Sequence, residues 1–300
     1  MARTFRCADA AETRGEPLYG TASQVRRWLL LEQPGSWGSD ALTQSKVPPD
    51  VARELSRRAR AAGVRVVLIR RGVRLSGDRR RCYFLRTEEA DLHQSTMELD
   101  RVGDLLDVDL TPLREGGTIA DAESHPDPLF LVCTHGKHDA CCSIRGNQVS
   151  RVACGEPRWD AWECSHIGGD RFAANVVCLP HGLYYGRVRP DNVVRLMNDY
   201  AQATLSLEHF RGRCVHPFPV QAAEYFARDA LANTEVDALS LARYTRTADA
   251  VGVVFEVTTG GRIDVRLRMS QSGDHRLTCR AENTGPIPRY DLVSATVYDG

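Results

Sequence analysis

The sequence predicts an α/β protein in which two similar units lie side by side, followed by a small α+β appendage. Short apolar and β-branched runs, typical of buried strands, alternate with amphipathic helical segments over the first two thirds of the chain. The order of these segments is similar before and after a Gly-, Asp- and Pro-rich connection near residue 125. We therefore predict an N-terminal α/β domain at 1–125, a central domain at 126–216 and the appendage at 217–300.

The first unit opens with the apolar run RRWLLLEQ, which predicts a strand. Pro48-Pro49-Asp50 then starts a helix, VARELSRRARAAG, that ends at Gly63. The runs VRVVLIRR and RRRCYFLR are predicted to form a hairpin across a glycine-containing turn. A second helix is predicted from Met97 to Leu106, which completes the unit.

The second unit begins with the strand LFLVC, followed by a polar loop and an amphipathic stretch around Ile144 to Val152. The strand WDAWECS, the hairpin VVCLPHGLYYGRV and a helix from Pro190, PDNVVRLMNDYAQATL, come next. The appendage contains an alanine-rich helix, QAAEYFARDALA, and the alternating strands VGVVFEVTT and RIDVRLRMS, joined by Gly260-Gly261. Nothing in the appendage by itself points to chemistry.

Charge and hydropathy exclude several classes of protein. The 39 Lys and Arg residues balance 39 Asp and Glu residues, so the chain lacks the overall positive charge of most nucleic-acid-binding proteins. The Arg-rich stretch from Arg57 to Arg81 has two interpretations: a docking surface for an acidic electron donor or a nucleic acid, or a solvated surface. The solvated surface is the favoured interpretation. Apolar runs are shorter than the roughly 18 residues of a membrane span, and the N-terminus lacks the apolar segment of a secretory signal. We expect a cytoplasmic protein with no membrane or nucleic-acid partner.

Chemistry-bearing residues are concentrated between residues 131 and 189, which hold six of the ten cysteines. In a reducing compartment, clustered thiols are typical of metal-binding or redox-active sites. Cys133 ends a predicted strand and the loop THGKHDAC leads to Cys142, so two thiolates can meet at one edge of the sheet. In SHIGGDRF, His166 and Asp170 flank two glycines, which permit the left-handed backbone of a tight loop.

Three segments resemble a known family. CTHGKHDACC, WECSHIGGDRFAANVV and LPHGLYYGRVRPDNV are similar to the sucrase/ferredoxin-like family, itself similar to the thioredoxin-like [2Fe-2S] ferredoxins. The resemblance is most specific over residues 129–205 and extends more loosely to the N-terminus, through CADAAETRGEPLYGTA and RRWLLLEQPGSWG. It implies a thioredoxin-like ferredoxin domain at 126–216, preceded by a degenerate thioredoxin-like unit. It also implies a [2Fe-2S] cluster and a redox partner protein, a reductase or an acceptor.

The resemblance also implies a ligand set for this cluster. Cys133 and Cys142 match the first cysteine pair, and His166 matches one of two histidines that ligate the cluster in fungal members. Asp170 stands where those members have the second histidine. A carboxylate is a harder donor than thiolate or imidazole, so Asp170 and Cys164 stay open as alternatives for the fourth ligand. Replacing thiolate by imidazole is expected to raise the reduction potential.

Other functions are less well supported by these residues. Structural zinc sites usually pair cysteines two to four residues apart, whereas eight residues separate Cys133 from Cys142. No C-x-x-C motif supports a thiol-disulfide oxidoreductase, and no segment singles out the carboxylate pair that sucrose hydrolysis would need. Electron transfer is therefore the favoured hypothesis, rather than a stand-alone enzyme. A redox or iron sensor that loses its cluster, and a thioredoxin-like protein with a structural zinc, are the alternatives.

The remaining residues of interest receive structural roles. Cys141, beside Cys142, is interpreted as a packed residue, with a spare ligand or a redox-sensitive neighbour as alternatives. His135 and His138 are expected in a solvent-exposed loop, where they could still hydrogen-bond to the cluster. Three side chains are expected to shield the site from below: Phe172, Trp162 and Tyr185. Six cysteines are interpreted as small buried hydrophobic residues: Cys7, Cys82, Cys154, Cys178, Cys214 and Cys279.

Overall fold

The computed structural model describes residues 4–71 and 79–300. Its α-helices are α1 (Cys7–Thr13), α2 (Pro49–Ala62), α3 (Thr111–Glu115), α4 (Ala140–Ala153), α5 (Val193–Ala201) and α6 (Phe218–Leu231). Its strands are β1 (Arg27–Glu32), β2 (Arg65–Arg70), β3 (Arg80–Glu88), β4 (Asp91–Leu99), β5 (Glu123–Ser124), β6 (Leu129–Cys133), β7 (Asp160–Cys164), β8 (Val176–Leu179), β9 (Leu183–Tyr185), β10 (Phe210–Arg213), β11 (Leu239–Arg246), β12 (Ala250–Val257), β13 (Arg262–His275) and β14 (Gly285–Tyr298).

A ten-stranded mixed sheet runs through the first two thirds of the chain, in the order β10-β9-β8-β6-β7-β2-β1-β3-β4-β5. Strand β1 pairs in parallel with β2 and antiparallel with β3. In the other half of the sheet, β6 pairs in parallel with β7 and antiparallel with β8. The two halves meet where β2 pairs antiparallel with β7, with Ile69 opposite Cys164. The predicted α/β class is confirmed. The thioredoxin-like description and the boundaries 1–125, 126–216 and 217–300 stay predictions.

Side-chain alternation along the strands builds cores on both faces of this sheet. On β6, Leu129, Leu131 and Cys133 enter a core that also contains Trp28 and Trp162. Phe130 and Val132, which alternate with them on the same strand, enter the core on the opposite face, which α4 and α5 cover. Because Cys133 is the last residue of β6, its thiol lies at the end of the first core.

Helix α4 packs closely on the end of β6 at Gly146. A Cβ atom at this position would lie 2.0 Å from the carbonyl oxygen of Cys133. Since no side chain fits in that space, glycine is what allows the helix to approach the strand. This approach also brings the first turn of α4 next to the Cys133 thiol.

Two local predictions in the first unit are wrong. VRVVLIRR and RRRCYFLR form β2 and β3, but β1 lies between them, so they are not a hairpin. The predicted turn falls largely on residues 72–78, outside the described residues. Met97 to Leu106 is not one α-helix, because β4 pairs along β3 as far as Leu99. Only Val102–Leu106 is helical, as a five-residue 3-10 helix. Backbone pairing with β3 outweighs the weak helical pattern of this segment.

The C-terminal part forms a separate antiparallel sheet, β11-β12-β13-β14, with the predicted helix and strands in place. Helix α6 packs between this sheet and β10 of the large sheet. A buried ionic group fixes that helix, since Glu224 accepts hydrogen bonds from Arg213 of β10 at 3.3 Å and from Arg228 at 3.0 Å. Within the described part of the chain, no helix has the length and apolar character needed to cross a membrane.

Candidate metal centre

Cysteine and histidine side chains converge where the two halves of the large sheet meet. Strands β6 and β7 are parallel, so their carboxyl ends share one edge of the sheet. Cys133 ends β6, Cys142 lies in the first turn of α4, and His166 follows β7. The two thiol sulfurs and one ring nitrogen of His166 all lie within 4.8 Å of one another. The three residues that the sequence predicted as ligands are therefore brought together.

Asp170 lies against this group. Its Oδ1 atom is 3.3 Å from Cys142 Sγ and 3.1 Å from His166 Nδ1. The His166 Nδ1 atom is buried and, although it is close to the Asp170 carboxylate, it makes no hydrogen bond with any of the described residues. Gly168 and Gly169 turn the loop with φ values of 99° and 84°, in the left-handed region that the sequence predicted. Burial raises the pKa of the Asp170 carboxyl above its usual value.

Cys164, the alternative fourth ligand, is the neighbour of Cys133 on strand β7. It is opposite Cys133 in the pairing of β6 with β7 and is fully buried. Thiol hydrogen bonds from Cys142 and from Cys164 hold the pKa of Cys133 well below its usual value. Cys164 is thus a neighbour of one ligand-type side chain, whereas Asp170 contacts two.

Two loop histidines are more closely tied to this site than the sequence indicated. The His138 ring stacks on the His166 ring with centroids 3.7 Å apart, and burial lowers the pKa of His138. The His135 side chain is buried, contrary to the expectation of exposure. Its Nε2 atom lies 2.6 Å from the carbonyl oxygen of Gly38, and its Nδ1 accepts a hydrogen bond from the His166 backbone at 3.2 Å. His135 therefore fixes the backbone that carries His166.

Sequence reasoning missed a buried cation beneath the loop. Arg211 is almost completely buried and donates hydrogen bonds to Gly168 O at 3.0 Å and to Asn175 Oδ1 at 2.8 Å. Burial lowers its pKa to about 10, which still leaves it positively charged at neutral pH. Arg65 also donates to the carbonyl oxygen of His166, at 2.9 Å. Arg211 belongs to no motif, and Arg65 is one of the arginines in the stretch from Arg57 to Arg81, so no local sequence signal marks their role at this site.

The predicted apolar shield needs one correction. Trp162 shares the core of Cys133 and Cys142, and Phe172 is buried with the Arg211 guanidinium 5.1 Å from its ring centroid. Tyr185 packs in the core on the opposite face of the sheet, and Tyr184 lies on the face of Cys133 instead. Side chains alternate along a strand, so the neighbouring tyrosine takes the position that the sequence assigned to Tyr185.

The site reaches the surface on its histidine side. The His166 side chain keeps 21% of its surface exposed, whereas Cys133 and Cys142 are buried. Two soft thiolate donors and an imidazole form a set that binds zinc, copper or iron–sulfur centres. These side chains therefore fit a bound metal.

Residues 18–212 match the model of the sucrase/ferredoxin-like family. The chain belongs to this family. The match spans both halves of the large sheet and includes the candidate metal centre. A relative of this sucrase/ferredoxin-like protein is Altered inheritance of mitochondria protein 32 of Meyerozyma guilliermondii, which is 29% identical over 29% of this chain. The aligned part spans 34%, about a third, of that relative. No solved structure matches the chain.

Proposed function

We propose that Cys133, Cys142, His166 and Asp170 hold one [2Fe-2S] cluster and that the protein transfers single electrons. The observation that carries this proposal is the convergence of two thiols and an imidazole within 4.8 Å at one edge of the sheet. The ferredoxin-like character in the name of the family supports it. When bound, such a cluster supplies a one-electron redox centre.

Contacts favour Asp170 over Cys164 as the fourth ligand. Cys133 and Cys142 would bind one iron, and His166 and Asp170 would bind the other. The Asp170 carboxylate contacts the side chains of Cys142 and His166, and it follows His166 on the same glycine loop. Cys164 lies beside Cys133 on the neighbouring strand and is not part of the group of ligand atoms within 4.8 Å of one another.

The surrounding residues fit the demands of a negatively charged redox centre. Arg211 provides a buried positive charge below the glycine loop, which offsets negative charge on the thiolates and the carboxylate. Trp162 and Phe172 exclude water from the inner side of the site. The exposed edge of His166 is the point at which a redox partner protein would approach. This partner, a cytoplasmic location and a thioredoxin-like arrangement of each half of the sheet belong to the same proposal.

The test is anaerobic purification of the full chain, followed by iron and acid-labile sulfide analysis and electron paramagnetic resonance of the dithionite-reduced protein. We expect equal amounts of iron and sulfide, in the proportions of a [2Fe-2S] centre, and a visible absorption that bleaches on reduction. Cys133→Ser should abolish both the iron and sulfide content and the visible absorption. Cys154→Ser, at a partly buried cysteine outside the site, should preserve them. Wild-type protein with zinc but no iron at this site would overturn the proposal.

Cluster behaviour on oxidation separates a carrier from a sensor. Reversible one-electron cycling supports electron transfer. Rapid loss of iron on oxidation, with a change in binding partners, would indicate a redox or iron sensor instead.

A further inference from the structure

Three cysteines that the sequence analysis interpreted as packed residues lie together in the folded chain. Cys7 begins α1, Cys141 lies in the first turn of α4, and Cys279 lies between β13 and β14 of the appendage. Asp139, directly before α4, completes the group, and one ligand-type atom from each residue lies within 4.8 Å of the others. The group draws its members from three regions that are far apart in the sequence.

Distances within this group match those of a mononuclear thiolate site. Cys279 Sγ is 3.4 Å from Cys141 Sγ and 3.5 Å from Cys7 Sγ. A disulfide would need about 2.05 Å. Two sulfurs bound to one tetrahedral zinc ion lie about 3.8 Å apart, from Zn–S bonds of about 2.3 Å. The observed spacing therefore needs only small movements to accept one ion.

The carboxylate is held in the orientation of a ligand. Asp139 Oδ1 accepts a hydrogen bond from the Cys141 backbone N–H at 2.8 Å, and Oδ2 accepts one from Cys279 N–H at 2.7 Å. Each oxygen keeps a further lone pair for a metal. Oδ1 also lies 3.6 Å from Cys7 Sγ. Backbone donors thus fix the carboxylate against the thiols before any ion binds.

The surroundings are those of a closed structural site. Cys7, Cys141 and Asp139 are buried, and only Cys279 is partly exposed. Ala8, Ala173 and Phe5 pack around the thiols. The Cys7 backbone N–H points at Cys279 Sγ from 3.5 Å, the kind of contact that stabilises a thiolate. In addition, the N-terminal end of the 14-residue helix α4 favours negative charge at this position.

We propose that Cys7, Asp139, Cys141 and Cys279 form a second metal site that binds one Zn²⁺ ion. Thiolate and carboxylate are both established zinc ligands, and four donors complete a closed tetrahedral shell. Binding would release protons from the thiols and tie the β13–β14 connection to α1 and α4. Asp139 and Cys141 lie in the segment between Cys133 and Cys142, so the ion would also fix the loop of the candidate metal centre, called the first site below. The zinc proposal does not require iron at the first site.

The first test uses the wild-type full chain, reduced and stripped of metal. Zn²⁺ is added alone, and alkylation of each cysteine is followed by mass spectrometry. We expect Zn²⁺ to slow alkylation of Cys279 by about tenfold or more, because a metal-bound thiolate is shielded from the reagent. Cys154, which is also partly exposed, is the internal control and should react at an unchanged rate. Equal reactivity of Cys279 with and without Zn²⁺ would overturn the proposal.

The second test separates this site from the first by metal content. A Cys133→Ser/Cys142→Ser double variant should keep one zinc per chain, whereas adding Cys279→Ser should remove it. Cys279→Ser alone should retain iron and sulfide, because it changes none of the proposed cluster ligands, and Cys154→Ser should change neither metal. Zinc that disappears with Cys133 and Cys142 but survives Cys279→Ser would contradict the assignment. So would a disulfide between any two of Cys7, Cys141 and Cys279 in protein that binds no zinc.

Discussion

Cys141 and Cys142 are adjacent in the first turn of α4, yet their thiols belong to two different groups of ligand-type side chains. Successive residues on a helix point about 100° apart, so one turn can serve two sites. Cys142 enters the core of Cys133 and Trp162, whereas Cys141 enters the small core of Cys7. The short segment from Cys133 to Cys142 therefore connects the proposed cluster with the proposed zinc ion.

The identity of the fourth ligand can be tested through the reduction potential. Asp170→His replaces an anionic carboxylate by a neutral imidazole, which lowers the negative charge on the cluster. We expect the potential to rise on the order of 100 mV, measured by redox titration. Cys164→Ala is the comparison variant: it should keep the iron and sulfide content and shift the potential less than Asp170→His does, because it removes only a hydrogen bond to Cys133. The opposite pattern would assign the fourth position to Cys164.

Arg211 should influence the same potential without being a ligand. Arg211→Gln removes a buried positive charge below the glycine loop, so adding an electron becomes less favourable. We expect the potential to fall on the order of tens of millivolts. Arg195→Gln, at an exposed position of α5, should have no effect. An unchanged potential in Arg211→Gln protein that is folded and carries a full complement of cluster would show that the charge of Arg211 does not influence the reduction potential.

Gly146 should be required for the close contact between α4 and β6. Gly146→Ala puts a methyl group 2.0 Å from the Cys133 carbonyl oxygen, so the helix must move away. We expect a loss of about 1–3 kcal/mol in the free energy of unfolding, together with reduced iron content, because Cys142 moves with the helix. Gln148→Ala, at an exposed position of the same helix, is the control for chemical denaturation and iron analysis. Wild-type stability in Gly146→Ala would show that the helix does not need this approach.

The buried group of Glu224, Arg213 and Arg228 should make stability depend on pH. Burial disfavours the Glu224 carboxylate, but the attraction of Arg213 and Arg228 outweighs it and lowers the pKa to about 2. Because this is below the value of about 4.3 in the unfolded chain, the stabilisation is complete above about pH 4.3 and is lost as the pH falls towards 2.

Glu224→Gln removes the carboxylate that buried Arg213 and Arg228 share, and leaves Arg213 with Glu89, 3.5 Å away. We expect it to cost about 3–5 kcal/mol in urea unfolding at neutral pH, and to flatten the loss of stability between pH 4 and 2 relative to wild type. Glu98→Gln breaks an exposed pair with Arg81 and should cost no more than about 1 kcal/mol. Equal effects of the two substitutions would show that the buried group does not hold α6 in place.

Local pattern was enough to predict the backbone elements that carry the candidate site. The apolar run LFLVC predicted a strand ending at Cys133, and the two glycines before Asp170 predicted the left-handed loop that the structure contains. The bounds of α2 followed from its prolines and from Gly63. These features depend on residues within a few positions of each other, so the sequence by itself determines them.

Contacts between distant segments were decided only by the tertiary structure. No periodicity places β1 between β2 and β3, Arg211 beneath Gly168, or Cys7 and Cys279 beside Cys141. Each of these relationships depends on how whole elements pack, and packing is set by the combined burial of many side chains rather than by neighbours along the chain. The same reason explains why cysteines that look isolated in the sequence can share one site in the folded protein.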